Sequence, residues 1–467
     1  MTAHPGERFD DRDPLSGRFE VPSWYYHQPV LRKALASHDF GIVFRRLRAD
    51  FHLTQEALGE LVDLPQKRIS EVENRKLRLR YLHIIIRITT ALRIPAELLG
   101  FVADANAKSG EEVGWMMDRR NFVHTVVAIT LGANTFPGLD RLTWLHPEHD
   151  NPAIPQRIGA NDVQAITDAT AMFRNSDHKH GGGLLRAAAK EHLRHVLRLK
   201  DVRCTDQVRA SLQLAVAEIA MTAAWMSYDV EEHDDARRLW LFALNQARTV
   251  QDPRTADLAV DVYLDMAHQA LHLDEYGEAL KLVQLARMVA DSHDYPISDS
   301  TRSYLSTNMA WCRGAQGQAD ACRREMDSAQ QSYLNADLTA APTWASHLVP
   351  AEIAAQRGHA LFLLSHTDRA NAAEAIEHLH TAVSGYGTTY TRSRALNLPG
   401  LATCYFYAGD VQAGVRTGLA AITAISGLSS RRAYTRLTKL SKTAGMFANH
   451  PDVAELRAQI AQTVATT

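Results

Sequence analysis

The chain has 467 residues, with 51 Lys and Arg against 53 Asp and Glu, so its formal net charge is −2. It is 46% hydrophobic and 22% charged, a composition typical of folded globular proteins that excludes collagen-like and low-complexity chains. The near-neutral total also excludes a wholly basic, histone-like protein. At roughly 150 residues per domain, this length predicts two or three domains.

The first twenty residues are charged and lack an apolar segment, so we expect no signal peptide. The most apolar stretch, residues 122–133, contains a histidine and is too short to span a bilayer. We therefore predict a cytoplasmic protein without a membrane partner. Four scattered cysteines without a CxxC pair fit a reducing compartment and argue against a zinc ribbon; these are Cys204, Cys312, Cys322 and Cys404.

Residues 1–26 are predicted to form a mobile tail, because the first 23 mix Asp, Arg, Gly and Pro. The apolar cluster Trp24, Tyr25 and Tyr26 ends this segment. A helix-like run at residues 30–35 follows, and we expect it to pack on the next domain.

Residues 27–101 are predicted to form a helical domain with five short helices between residues 40 and 101. Apolar residues recur there at intervals of three and four, which is the helical period. Thr54 is the predicted N-cap of one helix, and Pro65 stands at the first residue or cap of the next. A short last helix is expected after Pro95.

Arg48 precedes Glu73 by 25 residues, and the segment LTQEAL at residues 53–58 is followed by LVDL at 61–64 and PQKRISEVE at 65–73. These features resemble the phage-repressor (XRE) family of DNA-binding domains. The resemblance implies that Arg48 and Glu73 form a structural ion pair between the first and third helices. It also implies that residues 61–64 form the turn of a helix-turn-helix and residues 65–73 the recognition helix.

A recognition helix needs an apolar back, here Ile69 and Val72, and polar side chains that reach base edges. Gln can pair with adenine, Lys with guanine, and Glu can accept from cytosine. Residues 40–99 carry eleven Lys or Arg and seven Asp or Glu, a net charge of +4 that suits phosphate contacts. The predicted DNA-binding residues are Gln55, Gln66, Lys67, Arg68, Ser70, Glu71, Arg75 and Lys76.

Two residues depart from the XRE pattern. The family usually has glycine in the turn, where this chain has Asp63, and after the recognition helix, where it has Arg75. Asp tolerates left-handed backbone geometry moderately well and Arg less well. The neighbouring Asn74 is an alternative residue for the left-handed position.

Residues 102–160 are predicted to be a linker that contains one helix, which begins near Asp118. Its second part holds four prolines between residues 136 and 159, which indicates loop structure. Residues 161–467 are rich in Ala and Leu and lack the alternation of β-strands, so they are predicted to form antiparallel helix pairs.

Small residues recur in these pairs, twelve apart at Ala224 and Ala236 and again at Ala267 and Ala279. A third pair, eleven apart, is predicted at Ala310 and Ala321. This pattern resembles tetratricopeptide (TPR) repeats over residues 200–425, with residues 434–460 as a capping helix pair. The alternative is a generic helical bundle. The predicted fold is therefore all-α, a five-helix repressor-like domain followed by a TPR-like solenoid.

In TPR arrays the first helix of each pair lines a concave groove. On that placement, carboxylates and aromatic side chains line a groove that suits a cationic or amide-rich peptide, a small molecule or a protein effector. The alternative is that the large aromatic residues only pack between helices. The candidate groove residues are Trp225, Tyr228, Asp261, Asp265, His268, Tyr304, Asn308 and Trp311.

Taken together, the two halves resemble actinobacterial XRE-type regulators with a C-terminal TPR-like domain. Further segments that carry this likeness are residues 29–35, 99–101, 119–122, 181–183 and 225–229. The likeness implies a homodimeric transcriptional regulator that binds an inverted-repeat operator in double-stranded DNA. The alternative is a TPR interaction scaffold whose helix-turn-helix is degenerate. HExxH, P-loop, GxSxG and GxGxxG motifs are absent, so no enzyme activity, cofactor or metal is predicted.

Overall fold

The protein is described by a computed structural model that covers residues 21–36, 39–77, 79, 82–95, 98, 155–248, 250, 252–291 and 296–465. Within these ranges the regular structure is helical, beside one isolated bridge between Arg157 and Arg203. The all-α class predicted from the sequence is confirmed. The described residues belong to two compact units, residues 21–98 and residues 155–465.

The helices of the N-terminal unit are short and amphipathic. They are α1 (Pro29–Ala36), α2 (Phe40–Asp50), α3 (Gln55–Val62), α4 (Gln66–Glu73) and α5 (Leu82–Ala91). Phe44, Leu58 and Ile69 are fully buried and bring the apolar faces of α2, α3 and α4 together. The helix expected after Pro95 falls on residues of which the structure describes only Leu98.

Local sequence signals fix the turn between α3 and α4. The Thr54 hydroxyl accepts a hydrogen bond from the Ala57 amide at 3.0 Å. Thr54 is therefore the N-cap of α3, as the sequence predicted. Asp63 closes the helix in left-handed geometry, with φ 51° and ψ 53°. A Cβ atom on Gly59 would lie 2.5 Å from the carbonyl oxygen of Leu64, so only glycine permits this tight turn.

The end of α4 corrects one expectation. Asn74 was the alternative residue for left-handed geometry, but its φ is −85°, whereas Arg75 has φ 57°. The physical reason is that the Asn74 side-chain amide donates to the Ser70 carbonyl at 2.9 Å. This bond holds Asn74 at the helix end, and the chain turns one residue later.

The end of the predicted tail is packed. Tyr26 is fully buried and its hydroxyl donates to the Leu92 carbonyl at 2.6 Å, while the Tyr25 hydroxyl donates to Asp50 at 2.8 Å. Trp24 is exposed. Residues 21–26 therefore belong to the N-terminal unit and not to a mobile tail, because two buried tyrosines anchor them. Residues 1–20 lie outside the described residues.

The second unit consists of longer helices. They are α6 (Ala160–His180), α7 (Arg186–Leu197), α8 (Asp206–Asp229), α9 (His233–Arg248), α10 (Arg254–His272), α11 (Tyr276–Ala290), α12 (Asp299–Ala315), α13 (Ala319–Asn335), α14 (Pro350–Ser365), α15 (Ala372–Gly385), α16 (Thr391–Tyr407), α17 (Val411–Ile425), α18 (Arg431–Ala444) and α19 (Pro451–Ala465). The predicted linker, with its helix near Asp118, lies outside the described residues up to residue 154. Among the described helices, none has the length and apolar character that a membrane span requires.

Consecutive helices from α8 to α17 form hairpin pairs that stack in chain order, as in a solenoid. The first helices of successive pairs, α8, α10, α12, α14, α16 and α18, contact one another in that order. Short turns join the two helices of a pair, and left-handed residues such as Asp274, Gly317 and Gly409 occupy them. This arrangement gives one layer of first helices and one layer of second helices.

Buried small residues twelve positions apart mark these pairs. They are Ala224 and Ala236, Ala267 and Ala279, Ala310 and Cys322, and Ala360 and Ala372. The third pair predicted from the sequence is therefore wrong by one position, because Ala321 is half-buried and Cys322 fully buried. From Ala224 to Ala267, and from there to Ala310, the period is 43 residues, longer than the 34 residues usual for TPR units.

The two ends of this array meet. Helix α6 contacts α16, and α18 contacts α8. The Gly183 amide donates to the Ser429 carbonyl at 2.9 Å, and the Ser429 amide donates to the His180 carbonyl at 2.8 Å. A Cβ atom on Gly182 would lie 2.8 Å from the Met226 carbonyl oxygen, so the glycine run is a docking point where backbones touch. The array thus closes around its layer of first helices.

Candidate functional site

The predicted pair in the N-terminal unit is present. The Arg48 Nη1 atom lies 3.0 and 2.8 Å from the two carboxylate oxygens of Glu73, and its Nε donates to the Leu53 carbonyl at 3.1 Å. Glu73 is 4% exposed. Such a buried pair fixes geometry more than it adds stability, and here it holds α4 against α2.

Gln55, predicted to contact DNA, also joins this cluster. Its side-chain amide donates to Glu73 at 2.7 Å, and the residue is half-buried at the start of α3. Its contact with DNA therefore remains a prediction, and its observed role is to tie α3 to the Arg48–Glu73 pair.

The other predicted DNA-binding residues lie along α4 and the loop after it. Gln66, Lys67 and Arg68 are exposed on the first turn of α4. The opposite face of the helix is buried through Ile69 and Val72. The remaining four comprise two half-buried residues, Ser70 and Glu71, and two exposed ones, Arg75 and Lys76.

Arg75 has a weak intramolecular partner. Its guanidinium lies 3.5 Å from a carboxylate oxygen of Asp39, and the Arg75 side chain is 66% exposed. Exposed pairs of this kind contribute about 0–1 kcal/mol. The pair therefore does not prevent Arg75 from exchanging Asp39 for another anion.

In the second unit, the layer of first helices encloses a cavity with an empty volume of about 1020 Å³, including the part open to solvent. Six of the eight predicted groove residues line it, namely Trp225, Asp261, Asp265, His268, Tyr304 and Trp311. Tyr228 and Asn308 do not. Tyr228 is fully buried, and the Asn308 amide donates to the Tyr304 carbonyl at 3.0 Å inside the helix layer.

One side of the cavity carries a buried charge network. Arg392 lies 3.0 Å from Asp177 and 3.1 Å from Asp229, and Arg432 lies 2.9 Å from Asp229. The Gly182 amide also donates to Asp229 at 2.9 Å. These contacts join α6, α8, α16 and α18, so the network ties the two ends of the array together.

Aromatic rings complete this network. The Arg432 guanidinium lies 4.5 Å from the centre of the Tyr228 ring and 5.1 Å from that of Trp225, within the range of cation–π attraction. The predicted residues Trp225 and Tyr228 thus support a cation of the protein itself. The arginines were missed because they lie more than 160 residues from their partners and no local motif marks them.

Charge and burial set the pKa values of the two acids in this network. Burial raises the pKa of Asp177 to about 6, against the attraction of Arg392. Burial would also raise the pKa of Asp229, but attraction from Arg392 and Arg432 outweighs it and holds that pKa below its ordinary value. Asp229 is therefore the anionic centre of the network.

The facing side of the cavity is acidic. Asp261 and Asp265 are 4% and 9% exposed, and neither forms an ion pair with any residue that the structure describes. Burial raises the pKa of Asp265 to about 8. The pKa of Asp261 is raised well above its ordinary value, mainly by burial and also by repulsion from Asp265. Burial also lowers the pKa of His268, one turn further along α10.

The cavity continues into a second, wider opening with an empty volume of about 1580 Å³, and the two share four lining residues, His268, Trp311, His359 and Arg436. Basic side chains at this opening include Arg369, Lys439 and Lys442. Lys439 lies 3.2 Å from Asp274. In the described part of the chain, no three His, Cys, Asp or Glu side chains are grouped as metal ligands.

Comparison with known proteins gives no match, either to models of protein families or among curated protein sequences. The function of this chain is therefore argued from its own residues and geometry.

Proposed function

We propose that this protein is a DNA-binding transcriptional regulator of the XRE type, whose TPR-like repeat domain forms a homodimer and senses an effector. The observation that supports the proposal most is the arrangement of α3, a tight left-handed turn and α4. The Arg48–Glu73 pair holds α4 in place, and its first turn presents exposed polar side chains. This is the geometry in which a recognition helix enters the major groove.

The chemistry of α4 divides its side chains into two groups. Gln66 and Lys67 stand at the start of the helix, where Gln can read adenine and Lys guanine. Arg68, Arg75 and Lys76 are exposed cations beside it, which suits contacts to phosphates. In a two-fold dimer, two such helices read half-sites about one helical turn apart.

The departures from the family pattern are compatible with this function. Asp63 and Arg75 replace glycines, and both residues adopt the left-handed geometry that those positions need. A non-glycine residue there costs roughly 1–2 kcal/mol.

The test is a titration of the full-length protein against DNA from upstream of its own gene, followed by fluorescence anisotropy at several salt concentrations. We expect Gln66→Ala and Lys67→Ala to relax base discrimination by roughly 1–3 kcal/mol. Arg75→Ala should weaken binding to all sequences alike and lower the salt slope by about one.

The matched control is Lys281→Ala, which removes an exposed lysine from the repeat unit and should bind DNA as wild type does. Wild-type affinity and salt slope in the α4 variants would overturn the site. Unchanged genomic occupancy after deletion of residues 40–101 would overturn DNA recognition by the N-terminal unit and favour the TPR-like scaffold, recruited to the genome by another contact. Sedimentation tests the homodimer, and a monomer at working concentration would exclude the two-fold operator.

A further inference from the structure

Two acids that line the cavity of the repeat unit, Asp261 and Asp265, form no ion pair with any residue that the structure describes. We propose that this cavity binds a small organic cation, a primary amine on an aromatic or aliphatic body, with the ammonium group between Asp261 and Asp265. Binding of the amine to the cavity does not depend on whether the protein recognises DNA. The role of the amine as effector rests on the proposed function.

The first argument is the geometry of the two carboxylates. Asp261 and Asp265 are four residues apart on α10, so their side chains project from the same face of the helix. Both line the cavity and both are more than nine-tenths buried. Within the described part of the chain, the Asp261 Oδ1 atom has no hydrogen-bond partner. A buried carboxylate of this kind is unfavourable unless a cation or a donor reaches it.

The second argument is that the other acids around the cavity have charged or hydrogen-bonding partners, although the Asp177 Oδ1 atom, like that of Asp261, is buried without a hydrogen-bond partner among the described residues. Asp177 lies 3.0 Å from Arg392, and Glu218 lies 2.8 Å from Arg174. Glu352 accepts hydrogen bonds at 2.6 Å from both Tyr386 and Gln356. These partners include cations or strong donors of the fold, whereas the polar neighbours of Asp261 and Asp265 are the neutral indole groups of Trp344 and Trp240, with no cation paired to either acid among the described residues.

The arginines that line the cavity do not pair with Asp261 or Asp265. Arg432 attracts Asp265, but its guanidinium lies 2.9 Å from Asp229 and is directed to that carboxylate. Arg436 donates to the Leu396 carbonyl at 2.6 Å and stands at the border with the second opening. The acidic side therefore offers a place for a cation that enters from outside.

The third argument is the surroundings of the two acids. Tyr304, Trp311 and Trp344 line the same cavity, and aromatic faces attract cations and cover apolar ligand bodies. Trp311 is held in place because its indole N–H donates to the Gln356 carbonyl at 2.8 Å.

Two further polar atoms point to a bound ligand. The Nδ1 atom of His268 and the Oδ1 atom of Asn397 are buried without hydrogen-bond partners among the residues that the structure describes. Their side chains are 8% and 5% exposed and line the cavity. Buried polar atoms usually have partners. An ammonium group and a hydroxyl or amide group on the ligand would supply them.

The experiment is calorimetric titration of the full-length protein with three probes of matched shape. Tyramine is cationic, tyrosol is its neutral alcohol and 4-hydroxyphenylacetate is its acid. We expect tyramine to bind at least about ten-fold more tightly than tyrosol, because the charge of tyramine is paired in a desolvated site. We expect 4-hydroxyphenylacetate to bind most weakly of the three.

Asp261→Asn and Asp265→Asn should each lower tyramine affinity about ten-fold or more. Asp291→Asn, the same chemical change at an exposed residue, should leave it unchanged. Because asparagine matches aspartate in size and is neutral, we expect both cavity variants to fold. A thermal melt checks that each variant is folded. One folded cavity variant is enough to test the proposal.

Equal affinity for tyramine and tyrosol, absence of tyramine binding below about 1 mM, or wild-type affinity in a folded cavity variant would overturn the amine site. DNA binding is read separately. A protein that binds tyramine without any change in DNA affinity keeps the amine site and loses the effector role. Loss of tyramine binding with intact DNA recognition leaves the proposed function standing.

Discussion

The cations on α4 of the N-terminal unit and the arginines beside the cavity of the repeat unit have opposite surroundings. In the N-terminal unit, Lys67 and Arg68 are exposed on α4. In the repeat unit, Arg392 and Arg432 are 4% and 2% exposed and face carboxylates across the array. An exposed cation is available to an external anion, whereas a buried one is committed to the fold. The same residue type therefore favours partner binding on the exposed face of α4 and a structural role in the buried network.

The variant with the largest expected effect on this contrast is Asp229→Ala. The change leaves Arg392 and Arg432 buried without their shared anion, which should lower the free energy of unfolding by about 3–5 kcal/mol. Urea denaturation followed by circular dichroism measures the effect. Asp327→Ala is the control, because Asp327 forms an exposed pair with Arg357 at 3.2 Å worth about 0–1 kcal/mol. Equal costs for the two variants would mean that the network does not hold the array closed.

Glu73→Ala is the corresponding test in the N-terminal unit, where the buried Glu73 is paired with the half-buried cation Arg48. The change removes the partner of Arg48 and Gln55 and should cost about 3 kcal/mol. We expect DNA binding to disappear because the unit loosens, which a lower melting temperature of that unit would report. Glu60→Ala, on the exposed face of α3, is the control. Lost binding at a normal melting temperature would instead give Glu73 a direct role.

Asp265→Asn should make the repeat unit more stable. Because the pKa of Asp265 is raised to about 8 in the folded protein, the folded state keeps a proton that the unfolded state releases above its ordinary pKa. The stability of the wild type thus falls as pH rises from about 4 toward 8, and the asparagine variant escapes this loss. The difference between them should grow by about 2 kcal/mol between pH 5.5 and 7. Parallel stability profiles would show that Asp265 is ionised in the folded state.

The smallest effect concerns backbone strain beside the exposed cations. Arg75→Gly and Arg75→Ala remove the same charge, but only glycine tolerates φ 57° without cost. We expect the glycine variant to be more stable than the alanine variant by about 1 kcal/mol, measured by urea denaturation. Both should lose the same DNA affinity. A stability order with alanine above glycine would contradict the left-handed geometry.

Sequence reasoning was most successful where neighbours along the chain decide the structure. Thr54 caps α3 through an amide three residues away. The pair of Arg48 and Glu73, which the resemblance to the XRE family implied, is also present. It also placed six groove residues in the cavity but was wrong by one position at Ala321. That error arose because either of two adjacent small residues fits the pattern, and only packing selects Cys322.

The sequence by itself determined the helices, their turns and the small residues at which helix pairs meet, because capping and periodicity depend on residues a few positions apart. The tertiary structure decided the closure of the array, in which Asp177 meets Arg392 at 3.0 Å across 215 positions. It also leaves Asp261 and Asp265 without an ion pair among the residues that the structure describes. A contact between residues so far apart depends on the packing angles of all the helices that lie between them in the chain. No local sequence pattern predicts the combined effect of those angles.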